Sequence, residues 1–258
     1  MNITTYVTLL CVPIFFGMML CFHWARILGK RRIEQTGHPG LDSDIMVGAV
    51  FGLLGLLIAF SFSGAYSRYE VRRQIILEET NAIGTAYLRV DLLPEQAQPE
   101  VRVLFRKYTE SRARFYDDLA NDVQKASDNL VETAQLQQAI WTASVQNTGG
   151  TDNNAARMLL LPALNNMIDI VTTRTLAVQT HPPSLIFISL GVLALICAWF
   201  AGYAARASDR PLTFYSLSFA LVISFMLFVI LDIEFPAHGF INLNEVNALL
   251  YNLAGSMH

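Results

Sequence analysis

Residues 45–67 read IMVGAVFGLLGLLIAFSFSGAYS, a run without a single Asp, Glu, Lys or Arg. A helix rises 1.5 Å per residue, so about 20 apolar residues cross the roughly 30 Å hydrocarbon core of a bilayer, and this run predicts a membrane span. Working outward, the same absence of charge recurs over residues 1–25, 182–205 and 211–231. Four such runs in 258 residues leave too little polar surface to cover them as core helices of a soluble protein. The chain therefore reads as an all-α integral membrane protein with four transmembrane helices. The first run reads as a retained span, not a cleaved leader. Its apolar stretch exceeds the usual ~7–15 residues of a leader. Its basic cluster, Arg26, Lys30, Arg31 and Arg32, follows the run instead of preceding it.

Composition agrees. Hydrophobic residues make up 53% of the chain and charged residues 15%, against about a quarter charged in ordinary soluble domains. A net charge of −3 gives no reason to expect nucleic acid as a ligand, which normally calls for a clustered basic surface. The three cysteines, Cys11, Cys21 and Cys197, are odd in number and lie in apolar runs, which argues against a disulfide framework and a thiolate metal site.

The charge is segregated. Residues 68–184 hold 12 of the 18 basic and 14 of the 21 acidic residues, so this segment has nearly ordinary polarity. The expected organisation is a transmembrane hairpin over 1–67, a helical extramembrane domain over 68–184 inserted between spans two and three, a second hairpin over 185–231, and a C-terminal tail over 232–258.

Within the inserted domain, glycine and proline are sparse and no segment alternates as a strand would. Span two is expected to continue unbroken to Leu93, ahead of Pro94. A second helix starts near Pro99 and carries Val101, Leu104, Phe105, Tyr108, Phe115 and Leu119 at helical spacing. A third occupies residues 130–145, and a fourth runs from about 154 to 180 with Pro162 inside it. His181-Pro182-Pro183 forms a stiff entry to span three. In the tail, Asn244 is placed to cap a short amphipathic helix bearing Val246, Leu249, Leu250 and Leu253, which suits either the membrane surface or the helical domain.

Catalytic signals are missing from the sequence. There is no phosphate-cradling glycine loop, H-E-x-x-H pair, nucleophile elbow or Cys/His cluster. His23, His38, His181, His238 and His258 are scattered without a metal-ligand neighbour at helical spacing and read as surface or interface residues. The expectation is a protein that is not an enzyme and has no cofactor or metal site.

Span two carries the most information. Gly48, Gly52, Gly55, Ala59 and Ser63 share one flank, as small residues do where helices approach closely. Beside them Leu56 and Phe60 stack at i, i+4. Several copies of this helix around an axis would make these side chains an apolar ring of the kind that gates by dewetting. Just past the span, Arg68, Arg72 and Arg73 fall on the turns at the membrane surface. Glu70 pairs with Arg73 at i+3, while Glu78 and Glu79 are expected to reach neighbouring helices. Asp232 and Glu234 end span four. Interfacial carboxylates of this kind ordinarily face solvent, and the functional alternative is an acidic belt at a pore mouth or a cation site.

The segments Leu53-Leu54-Gly55 and Ala65-Tyr66-Ser67-Arg68-Tyr69 with Arg72 resemble the second transmembrane helix of bestrophins. The chain is more similar still to the bacterial bestrophin-like family. The similarity rests on Glu78-Glu79-Thr80-Asn81-Ala82-Ile83-Gly84-Thr85-Ala86-Tyr87-Leu88-Arg89, on Asp91-Leu92-Leu93-Pro94, and on Pro162-Ala163-Leu164-Asn165-Asn166-Met167-Ile168-Asp169. His181-Pro182-Pro183 and Leu231-Asp232-Ile233-Glu234-Phe235-Pro236 with Gly239 complete it. The resemblance implies a homopentamer of four-span subunits in the bacterial inner (plasma) membrane, with small inorganic ions passing along span two. It puts the apolar neck on Gly52, Leu56 and Phe60 in one register, or on Leu56, Phe60 and Gly64 in another. A glycine at a neck level widens it. The acidic run that forms the calcium site of animal bestrophins is not continued past Pro236, where Ala237-His238-Gly239 stand.

Two expectations conflict over orientation. The resemblance implies a cytoplasmic helical domain. The short loops on the opposite side, however, carry Arg26, Lys30, Arg31, Arg32, Arg206 and Arg210, against Arg68, Arg72, Arg73 and Arg174 near the membrane on the domain side. The positive-inside rule therefore favours the reverse. The leading functional reading is a passive ion channel lined by span two, with Arg68, Arg72, Asp232 and Glu234 attracting ions at its mouth. The alternative is a non-conducting scaffold or sensor whose helical domain binds a partner.

Overall fold

A computed structural model describes residues 3–36, 44–149, 154–207, 213–237 and 239–258. Eight α-helices follow in order among these residues: α1 (Ile3–Thr36), α2 (Asp44–Leu88), α3 (Gln98–Asn121), α4 (Val123–Asn147), α5 (Asn154–Gln179), α6 (Ser184–Ala204), α7 (Thr213–Glu234) and α8 (Asn244–Ser256). No strand occurs among the described residues. Four helical stretches are long and apolar enough to cross a membrane, and they include α1, α2, α6 and α7. His38, Arg210 and His238, on which expectations were placed, lie outside the described residues.

The chain divides into two compact units, one of residues 1–67 and 181–235, the other of residues 68–180 and 236–258. In the first, α1 packs against α6 and α7. The α1–α6 seam is close because α6 presents Gly191, Ala194, Ala198 and Gly202, all buried, on one face. A Cβ added at Gly202 would stand 2.1 Å from the Phe22 carbonyl oxygen of α1, so only glycine fits there. In the same unit α2 meets α7 where the Phe51 and Phe219 rings lie 5.4 Å apart, and it meets α6 where the Cys197 thiol donates to the Val50 carbonyl at 3.8 Å. The three cysteines are free.

The second unit has a conventional apolar core, which includes Ile76, Ile83, Phe105, Tyr108, Ile140 and Leu164. α2 ends in a 3-10 turn over Arg89–Leu92, and Leu93 turns extended just ahead of Pro94, as the restriction on a pre-proline residue requires. Pro99 sits in the first turn of α3, where its missing N–H costs nothing. Val101, Phe105, Tyr108 and Phe115 of the expected stripe are buried, and Leu104 and Leu119 pack partly against the core.

Two boundaries differ from expectation. α4 begins at Val123, not near 130, because the Asp122 carboxylate accepts the Gln124 N–H at 2.9 Å and starts the helix within a polar stretch. Asn244 is the first residue of α8 and does not cap it. The Asn242 side chain instead accepts the Asn244 N–H at 3.1 Å. α8 packs on the helical core through Leu250, which is buried, with Val246 and Leu253 partly so, whereas Leu249 is exposed. Pro162 lies inside α5 as anticipated.

Candidate functional site

The membrane half of α2 has two distinct faces. Leu54, Ile58 and Ala65 are buried within the subunit. Leu56 and Phe60 stand about 200° further round the helix, two residues on from Leu54 and Ile58, and are 51% and 66% exposed. A Cβ added at Gly48, Gly52 or Gly55 meets nothing within 4 Å, so nothing among the described residues occupies the space over these glycines. Gly64 and Arg68 are half-buried. The face read from sequence as the ion-path lining is thus one that the described residues leave uncovered.

The acidic end of α7 corrects the solvent-facing reading. Asp232 is 4% exposed and Glu234 is 0% exposed. A Glu234 oxygen lies 2.9 Å from His181 Nδ1. The His181 ring in turn rests 4.7 Å from Phe235. The histidine that read as an isolated interface residue is therefore the hydrogen-bond partner of a buried carboxylate. Their separation of 53 residues gives no local signal of the pairing.

Arg72 is also buried. Its Nε donates to the Ala177 carbonyl and its Nη2 to the Thr180 carbonyl, both at 2.9 Å. These acceptors belong to the end of α5, whose last carbonyls have no helical partner, so the guanidinium completes that helix terminus. Glu70 and Arg73 pair on the surface at 2.9 Å as expected. Glu78 instead accepts from Gln74 on its own helix at 3.2 Å.

Glu79 does reach neighbouring helices. Its two oxygens accept Arg112 Nε of α3 and Arg174 Nη1 of α5, each at 2.5 Å, and all three side chains are essentially inaccessible. Arg174 also donates to Asn247 Oδ1 of α8 at 3.2 Å, and the Asn247 amide donates to the Ala113 carbonyl at 2.7 Å. One carboxylate thus ties four helices of this unit together. Burial alone would push the Glu79 carboxyl up, but the two guanidinium groups outweigh it and hold the pKa below the usual carboxylate range. The same burial raises the Tyr108 and Tyr116 hydroxyls. Among the described residues, no three His, Cys, Asp or Glu side chains are grouped to hold a metal ion. The open groove along α4 is lined by Ser127, Leu130, Val131, Ala134, Gln135 and Gln138, none of which titrates.

Fold and sites together define an all-helical membrane protein with four long apolar helices and a polar helical unit knit by a buried ion cluster. A family model described as a bestrophin-like domain matches residues 15–248. The chain belongs to the bestrophin-like family. The fold is similar to crystal structures of a bacterial bestrophin homologue from Klebsiella pneumoniae. One is 15% identical with a TM-score of 0.69, covering 93% of this chain and 98% of that one. A single-residue variant is 14% identical with a TM-score of 0.69, covering 94% and 99%. A crystal structure described only as that of a membrane protein variant is 13% identical, with a TM-score of 0.69 over 95% and 100% of the two chains. No curated protein matches the sequence significantly.

Proposed function

We propose that this chain assembles into a homo-oligomer, with five copies as the expected ring, that conducts small inorganic ions passively through the bacterial inner membrane along α2. The observation that carries this reading is the uncovered face of α2. Gly52, Leu56 and Phe60 lie at successive turns on it, while the opposite face is packed inside the subunit. Copies of α2 facing one axis would put Leu56 and Phe60 in stacked apolar rings, narrow enough to expel water and close the path. Because Gly52 is exposed and Gly64 half-buried, the register Gly52, Leu56, Phe60 fits the neck better than Leu56, Phe60, Gly64. Gly52 makes one level wide and leaves closure to the two larger side chains. Arg68, half-buried just past the apolar run of α2, is the basic residue of this helix left to set the field at the mouth.

Purified protein in planar bilayers tests this. The reading expects discrete currents in the wild type and a conductance increased on the order of severalfold in Phe60→Ala, because truncating the ring lowers the dewetting barrier. Silent bilayers from correctly folded protein, or currents indifferent to both Leu56→Ala and Phe60→Ala, would overturn it. Silence together with a stoichiometric partner bound through residues 68–184 would establish the scaffold reading instead.

A further inference from the structure

The basic residues of the membrane unit, residues 1–67 and 181–235, are Arg26, Lys30, Arg31, Arg32, Arg206 and Arg210. The first four lie in the last turns of α1, and the other two in the connection from α6 to α7. Packing brings these distant stretches to one end of the unit. α1 and α6 run side by side in parallel, with Gly17 against Leu195, Gly202 against Phe22, and Gly29 so near Arg206 that an added Cβ would stand 2.7 Å from the Arg206 Cβ. Val50 of α2 meets Cys197 of α6 and Phe51 meets Phe219 of α7, so α2 and α7 begin at that same end. Trp24 and Trp199, both exposed, lie within two turns of these cations and are of the residue type that anchors at headgroup level. The opposite end is where the start of α6 meets the end of α7 through His181 and Glu234, 2.9 Å apart. Within the unit no Lys or Arg belongs to that end, and residues 1–25 and 232–258 contain none.

Orientation is set by Lys and Arg in short connections and close to the spans, because carrying a cation outward works against the membrane potential. Residues 68–180 form a connection longer than the roughly 60 residues over which loop charge directs orientation, leaving Arg68, Arg72, Arg73 and Arg174 near the spans on that side. Six cations gathered at one end stand against these four. We infer that the basic end of the membrane unit faces the cytoplasm and that the helical unit, with residues 1 and 258, lies on the outer side of the inner membrane. This is the reverse of the orientation implied by the resemblance to bestrophins. It rests on the inner-membrane location proposed above, but not on whether α2 conducts. A soluble ligand or partner of the helical unit then reaches it from outside the cytoplasm.

Two reporters fused in turn after His258 of the full chain test the orientation in a bacterial host. Alkaline phosphatase needs the disulfides that form outside the cytoplasm, whereas green fluorescent protein exported through the same route stays dark. The expected result is an active phosphatase fusion and a dark fluorescent fusion, both in the inner-membrane fraction. A silent phosphatase with a fluorescent counterpart would overturn the orientation, as would activity in both. Fusions recovered outside the inner-membrane fraction would overturn the location on which the inference rests, and the inference with it. A second measurement avoids fusions. Gln135→Cys puts a thiol on an exposed turn of α4. A membrane-impermeant maleimide should label it in intact spheroplasts above the level of the wild type, whose three cysteines lie in apolar runs. Labelling that appears only after lysis would contradict the inference.

Discussion

Glu79 holds Arg112 and Arg174 in a region that water does not reach. Replacing its carboxylate with an amide would leave two buried guanidinium groups uncompensated, which costs about 3–5 kcal/mol in comparable clusters. Glu79→Gln should therefore lower the thermal midpoint of the purified protein far more than Glu78→Gln, whose side chain lies on the surface. The pH dependence follows from the direction of the shift. A carboxyl held below its ordinary pKa adds stability above its unfolded value of about 4.3, and that stability is lost as the pH falls through the folded pKa. Midpoints measured from neutral pH downward should hold until the ordinary carboxylate range and then fall, and Glu79→Gln should flatten that fall. That Glu79 reaches neighbouring helices was legible from its position, since no basic residue stands one turn away to pair with it. Its partners were not legible, because they lie 33 and 95 residues along the chain and only helix packing brings them together.

At the scale of elements, the four membrane helices could be read directly, because a charge inside hydrocarbon is costly enough to keep such runs clean. The extension of α2 to a stop before Pro94 was equally plain. The neighbours of each helix were not, since a stripe of small residues says that something can come close without saying what. The stripe on α2 suggested close packing, yet the tight approach inside the subunit belongs to Gly202 of α6 against α1. The Gly191, Ala194, Ala198, Gly202 series was present in the sequence as the equivalent signal. Gly202→Ala should force α1 and α6 apart and cost about 1–3 kcal/mol, seen as a lower melting midpoint or poorer yield of folded protein. Gly55→Ala adds a methyl into space that the described residues leave empty. It should leave subunit stability unchanged, so any effect on assembly would report contact with another copy. The late start assigned to α4 came from missing Asp122 as its cap amid equally polar neighbours.

At the scale of the whole molecule, the chain concentrates its charge in residues 68–184 and keeps its spans almost free of it. α2 belongs to both regimes as one unbroken helix of 45 residues, about 67 Å long. Its membrane half has an uncovered apolar face, and its polar half bears Arg72 and Glu79, the residues that anchor α5 and the buried cluster. The central claim is that copies of this chain bring the uncovered face together around one axis. A projection of the purified assembly down the membrane normal tests it most directly. The account predicts five-fold symmetry with α2 innermost and Phe60 nearest the axis. A dimer, or a ring with α2 on its outside, would contradict it.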